Sequence, residues 1–588
     1  MIQKRFTSKL VGAAAIASTL ALFSCTSKTL MPDNGAHVLM NQVAFYPEGD
    51  KILVLDSAYT GEVEFRDMNN ELAYVSEVAE VKQSPFSGAP RYIVDFSGLD
   101  IEGKYQVVAG DMRQTLEVKS GALRDVAKAA LKAFYYQRSG VEIEAKYAGK
   151  WARPLGHPDT NVMVHPTAAT KERPAGTIIS SPFGWYDAGD YNKYIVNSAY
   201  SIGIMLQMYE TIPEYFEKFD VDIPETGNGV PDLLDEIYFN LKWMATMQDT
   251  DGGLYHKLTT PNFEAFIMPS ECKQQRYVVQ KSVTASYDYA ACMAMVARIY
   301  AKYDLYAEFA KEMLESAKKA YKWAKANPTA LYFQGKNNEK YDPDVVTGEY
   351  GDFNASDEQL WAATELYIST GDESYWKDTK TLWPKSYGLS SWGNVASIAQ
   401  WELISKDNFV STDEAFEHRK YFNDYIETLE AKFAQSDFAC AYGAVAKDFH
   451  WGCLSEGCCN AGAEILRAYK KTGLPKYRTM AVSNADYILG RNPMRNCYVT
   501  GFGYKSTKNP HQRLSHADGI EDPLPGFLAG GPNPGKQDGL TYPCDYPDMC
   551  YLDDMNSYAS NEIAINWNAS LVAFLACLDD VMSNLEQY

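Results

Sequence analysis

Hydrophobic and polar positions follow two different periods along this chain, and the change falls near residue 120. Before it, short alternating runs separated by turn residues predict seven β-strands, at residues 37–45, 51–56, 62–66, 72–81, 91–96, 104–108 and 114–118. From residue 122 onward, apolar residues recur every three or four positions, as they do at Leu234, Ile237, Leu241 and Met244. The second part is therefore predicted to be helical to its end.

These two periods predict two domains. Seven short strands in residues 37–119 are typical of an immunoglobulin-like β-sandwich. Residues 122–588 contain about a dozen helical segments joined by long loops, which fits an (α/α)6 barrel of paired inner and outer helices. We expect a mainly α protein in which the long loops of the barrel carry the function.

The first residues resemble an export signal. The basic residues Lys4, Arg5 and Lys9 come directly before an apolar run, residues 10–23, that is too short to span a bilayer. The run ends in a Leu-Phe-Ser-Cys sequence that resembles the lipobox of bacterial lipoproteins, which implies acylation of Cys25; a plain secretory signal is the alternative. We expect residues 1–24 to be a signal peptide, residues 25–36 a linker, and the protein to lie in the bacterial cell envelope, held to the membrane only by lipid.

Composition narrows the class of ligand. The formal charge of −21 over 588 residues would repel the phosphates of nucleic acid, whereas a neutral polysaccharide is compatible with it. The chain also holds 42 Tyr and 11 Trp, and flat rings of this kind pack against sugar faces. We expect a monomer. Disulfides are permitted outside the cytoplasm but are not required, and among the cysteines after Cys25 the first pair predicted to form one is Cys544 and Cys550, because they bracket a short loop.

The first candidate for chemistry is the pair Asp187 and Asp190, which only Ala188 and Gly189 separate. Two carboxylates at this spacing can hold and deprotonate one water molecule. The alternative is an Asp-Gly turn that caps a helix beginning near Tyr194.

The second candidate is Glu562, which follows Asp553 and Tyr558 and precedes an apolar helical segment. A carboxyl group beside aromatic rings is poorly solvated when ionised, so its pKa should rise, as a general acid requires. The alternative is an ordinary glutamate in the first turn of that helix, favoured by the helix dipole. A third candidate is the polar loop with His511 and Arg513, both of which would be donors for sugar hydroxyls.

Together these stretches resemble glycoside hydrolase family 9. The Trp-Tyr-Asp-Ala-Gly-Asp sequence ending at Asp190 is similar to the family's catalytic-base motif, and residues 551–569 follow its acidic signature. Residues 498–513 follow its His/Arg signature, except that Cys497 stands where Ser, Thr or Val is usual. The resemblance covers residues 37–580.

The resemblance implies an inverting hydrolase of β-1,4-glucans. Glu562 would be the general acid, Asp190 the general base and Asp187 the residue that positions the water, with roughly 6.5–9.5 Å between acid and base. His511 and Arg513 would bind the sugars beside the scissile bond, and Asp553 belongs with the substrate-binding residues. The candidates for stacking against sugar rings are Tyr558, Tyr350, Trp451 and Trp567.

The resemblance also bears on metal binding and on the residue that precedes Asp187. Many family members with the immunoglobulin-like module bind zinc with two Cys and two His, but Ser139 and Gly156 replace both thiols here, so structural zinc of that type is not expected. No cofactor is required, although Asp357 and Glu358 match a calcium-binding stretch, with Asp352 as a further ligand; a solvated helix N-terminus explains these acids almost as well. Tyr186 replaces a common His, which could alter a sugar subsite.

Two other functions are compatible with parts of the pattern. A non-catalytic surface lipoprotein could capture glycan with the same aromatic cleft, but it would not need Asp187, Asp190 and Glu562 together. A polysaccharide lyase would need an acidic sugar, which the negative charge disfavours. The pattern leaves open endo or exo action and the choice among xyloglucan, mixed-linkage and cellulosic glucans.

Overall fold

Eight strands form the N-terminal sandwich of the computed structural model, which describes residues 30–34, 37–406 and 412–587. One sheet has the order β1-β2-β6-β5 and the other β4-β3-β7-β8. The strands are β1 Val38–Leu39, β2 Ile52–Leu55, β3 Val63–Asp67, β4 Leu72–Ser76, β5 Val78–Gln83, β6 Pro90–Asp95, β7 Gly103–Ala109 and β8 Met112–Val118. The predicted β-sandwich is confirmed, while Cys25 lies outside the described residues.

The count of seven strands is wrong because residues 72–81 contain two strands. β4 pairs with β3 in one sheet and β5 pairs with β6 in the other, so the chain crosses between sheets near Glu77. Both strands lie at sheet edges and most of their side chains keep contact with solvent. Because neither strand buries a full face, the hydrophobic pattern does not change where the chain passes from one sheet to the other.

Twelve helices of ten or more residues are found in the described part of the catalytic domain. They are α1 Arg124–Gln137, α2 Ile195–Thr211, α3 Asp232–Thr246, α4 Val283–Tyr300, α5 Ala307–Ala326, α6 Ser356–Thr370, α7 Glu373–Leu382, α8 Ala396–Ser405, α9 Thr412–Gln435, α10 Ala461–Thr472, α11 Pro475–Ile488 and α12 Ile565–Ser583. The even-numbered helices form the inner ring, in which α12 contacts α2, α2 contacts α4, α4 contacts α6 and α6 contacts α8. The predicted mainly α fold with a helical barrel is confirmed.

Burial explains which helices are inside. Inner helices such as α4 and α12 are apolar almost all round and nearly every side chain is buried. The outer helix α5 instead buries one stripe, Ala310, Met313, Ala317, Ala320 and Ala324, and exposes Lys and Glu on its other face. A helix that is apolar on every side requires protein around it, whereas a striped helix requires it on one side only.

A small sheet that the sequence pattern does not predict lies beside the start of α2. Its strands are β9 Val162–Val164, β10 Ile178–Ile179, β11 Lys193–Tyr194, β12 Lys257–Thr259 and β13 Tyr277–Val278, in the order β10-β9-β13-β12-β11. Each strand has only two or three residues, too few to show a period of two. The sheet fixes the chain just after Asp190.

The two domains share part of one core, in which Leu39, Tyr46 and Val54 of the sandwich pack with the barrel. The Tyr46 hydroxyl donates to Asp579 Oδ1 at 3.2 Å, and Asn41 Nδ2 donates to Asp486 Oδ1 at 2.9 Å. Within the described residues, no helix is both long and apolar enough to cross a membrane.

The disulfide prediction is wrong in this structure. The ten described cysteines are all free thiols, and Cys550 Sγ donates instead to the Cys544 carbonyl oxygen at 3.3 Å. Cys458 and Cys459 lie buried in a π-helical turn, Leu454–Asn460, that leads into α10.

Candidate active site

Backbone hydrogen bonds join the three candidate segments, although they are far apart in sequence. Arg513 N donates to the Gly189 carbonyl oxygen at 3.0 Å, and His511 N donates to the Asn561 carbonyl oxygen at 2.9 Å. His511 and Glu562 face each other in a parallel bridge. A Cβ atom on Gly189 would lie 2.1 Å from the His511 carbonyl oxygen, so only glycine allows this approach. The segments carrying Asp187, Asp190 and Glu562 therefore meet.

Asp187 is buried, and both of its carboxylate oxygens accept hydrogen bonds. Asn197 Nδ2 donates to Oδ1 at 2.8 Å and the Tyr350 hydroxyl donates to Oδ2 at 2.7 Å. Burial, followed by the charge of Asp190, raises the pKa of Asp187 to about 8, and the two hydrogen bonds oppose this rise. Asp187 is thus held rigidly beside a second carboxylate.

Asp190 receives its hydrogen bonds on one oxygen only. Asn192 Nδ2 donates to Oδ2 at 2.5 Å and the Tyr194 hydroxyl donates to the same atom at 3.1 Å. Oδ1 accepts none from the described residues, and it is not among the buried unpaired atoms. Asp190 does not cap α2, because its side chain accepts from Asn192 and from the Tyr194 hydroxyl and from no backbone N–H group of the helix. The turn alternative is therefore wrong, and one oxygen of Asp190 is left for a water molecule.

Glu562 lies in extended backbone three residues before α12, not in its first turn. Its partly exposed side chain has a pKa raised well above the usual value, first by burial and then by the charges of Asp190 and Asp187. Arg513 and the Gly189 N–H oppose this rise. The helix-dipole alternative is wrong, and a carboxyl group in this setting holds its proton more firmly than one in solvent does, as a general acid requires.

His511 and Arg513 are both held by backbone carbonyl groups. Because a carbonyl oxygen only accepts, His511 Nδ1 donates to Met555 O at 2.6 Å, and burial lowers the pKa of the ring. The neutral ring then offers Nε2 as an acceptor, so the expectation that His511 is a donor is wrong. Arg513 donates through Nε to Glu264 O at 2.7 Å and through Nη1 to Gly189 O at 2.8 Å, which leaves Nη2 for a ligand.

The four aromatic candidates divide into three kinds. Trp451 is 41% exposed and its ring lies 5.4 Å from that of Tyr558, so this pair offers a surface to a sugar. Tyr350 contacts Asp187, as described, and packs against Tyr194 at 4.8 Å. Trp567 is buried in the main core, where Gly452 lies directly against it, so the proposed stacking role of Trp567 is wrong.

Two other expectations are corrected by burial and hydrogen bonding. Asp553 accepts from Lys508 N at 2.9 Å and from Asn509 N at 2.7 Å, so both oxygens of its carboxylate hold the loop before His511. Tyr186 is fully buried and bonds to His157 Nδ1 at 2.9 Å, so it cannot line a sugar subsite.

Sequence reasoning missed Asn192, Tyr194 and Asn197 as partners of the two aspartates. Asn197 lies in the first turn of α2, ten residues after Asp187, so its amide reaches Asp187 only because the chain between them folds back. Their short distance in sequence from Asp187 and Asp190 was the only signal that could have identified them as partners.

The calcium candidates surround a further buried acid. Asp288 on α4 is fully buried with no hydrogen-bond partner on either oxygen, and Glu358 Oε2 is also unpaired. The pKa of Glu358 is raised well above its usual value by burial and then by Asp288 and Asp357. Asp357 Oδ2 accepts from Val395 N at 2.9 Å. In the described structure these carboxylates do not provide three metal-ligand atoms within 4.8 Å of one another.

Comparison with known families decides the class. Residues 124–575 match the model of glycosyl hydrolase family 9, and residues 33–114 match that of the cellulase N-terminal ig-like domain. The chain belongs to glycosyl hydrolase family 9. The predicted family and the predicted enzyme class, a glycoside hydrolase of the endoglucanase type, are thereby confirmed.

Relatives in family 9 cover almost the whole chain. A xyloglucan-specific endo-β-1,4-glucanase from Bacteroides ovatus, BoGH9A, is 50% identical over 574 residues, which are 96% of this chain and 97% of that protein. Endoglucanase D from Acetivibrio thermocellus is 31% identical over 82% of this chain and 74% of its own. The solved structure described as Bacteroides ovatus GH9 has a TM-score of 0.89 at 47% identity and covers 93% of this chain and 99% of its own. AaCel9A, solved with a cellobiose-like isofagomine, has a TM-score of 0.84 at 28% identity, over 92% of this chain and 99% of its own.

Proposed function

We propose that this family 9 enzyme cuts the β-1,4-linked backbone of xyloglucan internally and with inversion. The observation that carries the mechanism is the junction at Gly189, where backbone hydrogen bonds bring the aspartate pair and Glu562 together. The substrate rests on the xyloglucan-specific relative, which is 50% identical over 96% of the chain.

The roles follow from the protonation and bonding of each carboxyl group. Burial and then the charge of Asp190 disfavour the ionised form of Glu562, so this residue protonates the departing glycosidic oxygen. Asp190 takes a proton from the attacking water through Oδ1, the oxygen without a protein partner. Asp187, held by Asn197 and Tyr350, orients that water.

The cleft residues bind the sugars on either side of the scissile bond. His511 Nε2 accepts a hydrogen bond from a sugar hydroxyl, and Arg513 Nη2 donates one. The exposed Trp451 and its neighbour Tyr558 offer a flat apolar surface for a pyranose ring.

Product analysis tests the substrate and the stereochemistry separately. We expect kcat/KM on xyloglucan to exceed that on unbranched mixed-linkage glucan and cellodextrins by about tenfold or more, a difference of about 1.4 kcal/mol in transition-state binding. Early products should be mid-sized oligosaccharides and should carry the α-anomer in proton NMR spectra. Equal rates on unbranched glucan would contradict the xyloglucan assignment, and β-anomeric first products would contradict inversion.

We also propose that the enzyme is a monomer tethered to the bacterial cell envelope through acylated Cys25, on the basis of the sequence around that residue. Wild type should fractionate with membranes and the variant Cys25→Ala should be released in soluble form. Co-fractionation of both proteins would contradict the anchor, and a dimer mass in light scattering would contradict the monomer.

A calcium ion is proposed at Asp352, Asp357 and Glu358, with Asp288 added by the structure. The unpaired, buried oxygens of Asp288 and Glu358 fit a cation, because burying a carboxyl group without a partner is otherwise costly. The ion would join α4 to the start of α6 and so stabilise the inner ring; no step of the reaction passes through it.

A further inference from the structure

A second group of potential metal ligands lies behind the catalytic loop. A ring nitrogen of His157, a carboxylate oxygen of Glu264 and Cys272 Sγ all lie within 4.8 Å of one another, and no other such group of three is found in the part of the chain that the structure describes. Nitrogen, carboxylate oxygen and thiolate are the three ligand types that zinc accepts in proteins.

A buried carboxylate oxygen of Glu264 without a hydrogen-bond partner indicates that a ligand binds here. Glu264 Oε1 is buried and has no hydrogen-bond partner. Cys272 Sγ lies beside this carboxylate and its own contact is a weak hydrogen bond to the Met268 carbonyl oxygen at 3.7 Å, so the buried Glu264 oxygen is costly unless a cation joins the two side chains.

His157 is buried, and one of its two ring nitrogens is held by a neighbouring side chain. Nδ1 bonds to the Tyr186 hydroxyl at 2.9 Å, which leaves Nε2 for a metal, and an oxygen partner on the second ring nitrogen is the usual support of a metal-bound histidine. Three cations lie near His157, and Asp159 pairs with two of them, Arg276 at 2.8 Å and Lys193 at 2.7 Å; the third is Arg153.

Gly156 explains how the ligands meet. A Cβ atom at this position would lie 2.3 Å from the Pro269 Cβ, so the missing side chain lets residues 264–272 pack against His157. This set differs from the two-Cys, two-His set of relatives, because Ser139 and Gly156 have no thiol and Glu264 and Cys272 come from another loop.

We propose that His157, Glu264 and Cys272 bind one zinc ion, with a water molecule as the fourth ligand. Binding would convert the Cys272 thiol to a thiolate and release its proton to solvent. The ion would fasten the loop 261–272 to the segment behind the catalytic motif. That loop contacts the active site, because Glu264 O accepts from Arg513 Nε and Ile267 O accepts from the Tyr191 hydroxyl at 2.8 Å.

Metal analysis of the full-length protein tests the proposal without reference to activity. After equilibration with micromolar zinc and removal of free metal, wild type should retain about one zinc ion per chain, and Cys272→Ser and Glu264→Gln should weaken zinc affinity by about tenfold or more. Cobalt should give a thiolate-to-metal charge-transfer band in wild type that is absent in Cys272→Ser. The matched controls are Cys544→Ser, another partly exposed thiol, and Glu271→Gln, an exposed acid on the same loop.

Both controls should bind zinc as wild type does, and circular dichroism shows whether each variant is folded. Cys272 and Glu264 are partly exposed, so their substitution leaves the main core intact. The proposal is wrong if wild type retains no zinc, if Cys272→Ser retains as much as wild type, or if Cys544→Ser loses as much as Cys272→Ser.

Discussion

The substitution Glu562→Gln removes a proton donor while it keeps the shape and the neutral state of the side chain. Burial and then the charge of Asp190 raise the pKa of the carboxyl group and so favour its neutral form, which the amide reproduces without adding a charge to the cleft. We therefore expect folding and glycan binding to be close to those of wild type. What is lost is the transfer of a proton to the departing oxygen.

The expected loss can be stated as a rate. General acid catalysis contributes about 10²- to 10⁴-fold, which corresponds to about 2.7–5.4 kcal/mol of transition-state stabilisation. The loss should depend on the leaving group, because an aryl glycoside with an acidic phenol departs without protonation. The deficit should then shrink to about tenfold or less on such a substrate.

Steady-state kinetics on xyloglucan oligosaccharides and on an activated aryl cello-oligosaccharide measure both numbers. Glu521→Gln, an exposed acid, is the control and should behave as wild type on both substrates. An equal loss of kcat on the two substrates would show that Glu562 does not act by protonating the leaving group. Unchanged activity on xyloglucan would refute its assignment altogether.

Four further predictions test other parts of the site. Asp187→Asn removes one of the charges that raise the pKa of Glu562, so Glu562 should ionise at lower pH, and the alkaline limb of the pH profile of kcat/KM should move to lower pH; a shift to higher pH contradicts this. Gly189→Ala forces its Cβ against the His511 carbonyl, so it should lower kcat sharply and stability by about 1–3 kcal/mol, measured by denaturant unfolding; wild-type behaviour refutes the junction. Trp451→Ala should raise KM for xyloglucan and leave stability unchanged, whereas Trp567→Ala should cost about 3–5 kcal/mol of unfolding free energy; the reverse pattern would restore Trp567 as a subsite. Calcium should raise the Tm of wild type in thermal scans and should have no such effect on Asp288→Asn, which in chelator should be at least as stable as wild type because an unpaired buried acid is gone; an equal calcium response in both proteins removes Asp288 from the site.

The sequence by itself determined the architecture and the reaction class. Alternation before residue 120 and helical periods after it are local properties, and they were sufficient for a sandwich followed by a barrel of helix pairs. The motif with Asp187, Gly189 and Asp190 could be read from the sequence alone. The two aspartates are required by the chemistry, and the glycine is required because His511 approaches its backbone closely.

Only the tertiary structure decided which side chains reach the cleft and which bond to each other. Trp567 and Tyr186 belong to motifs that look functional, yet both are buried, because a motif records spacing and not which face of the backbone meets solvent. Asp553 and Tyr350 were expected to bind sugar, but their polar atoms hold a loop and a catalytic carboxylate. His157 is more than a hundred residues away from Glu264 and Cys272 in sequence. The three side chains meet because Gly156 has no side chain and so allows a distant loop to pack against it. Such a contact depends on long-range packing and leaves no periodic pattern in the sequence.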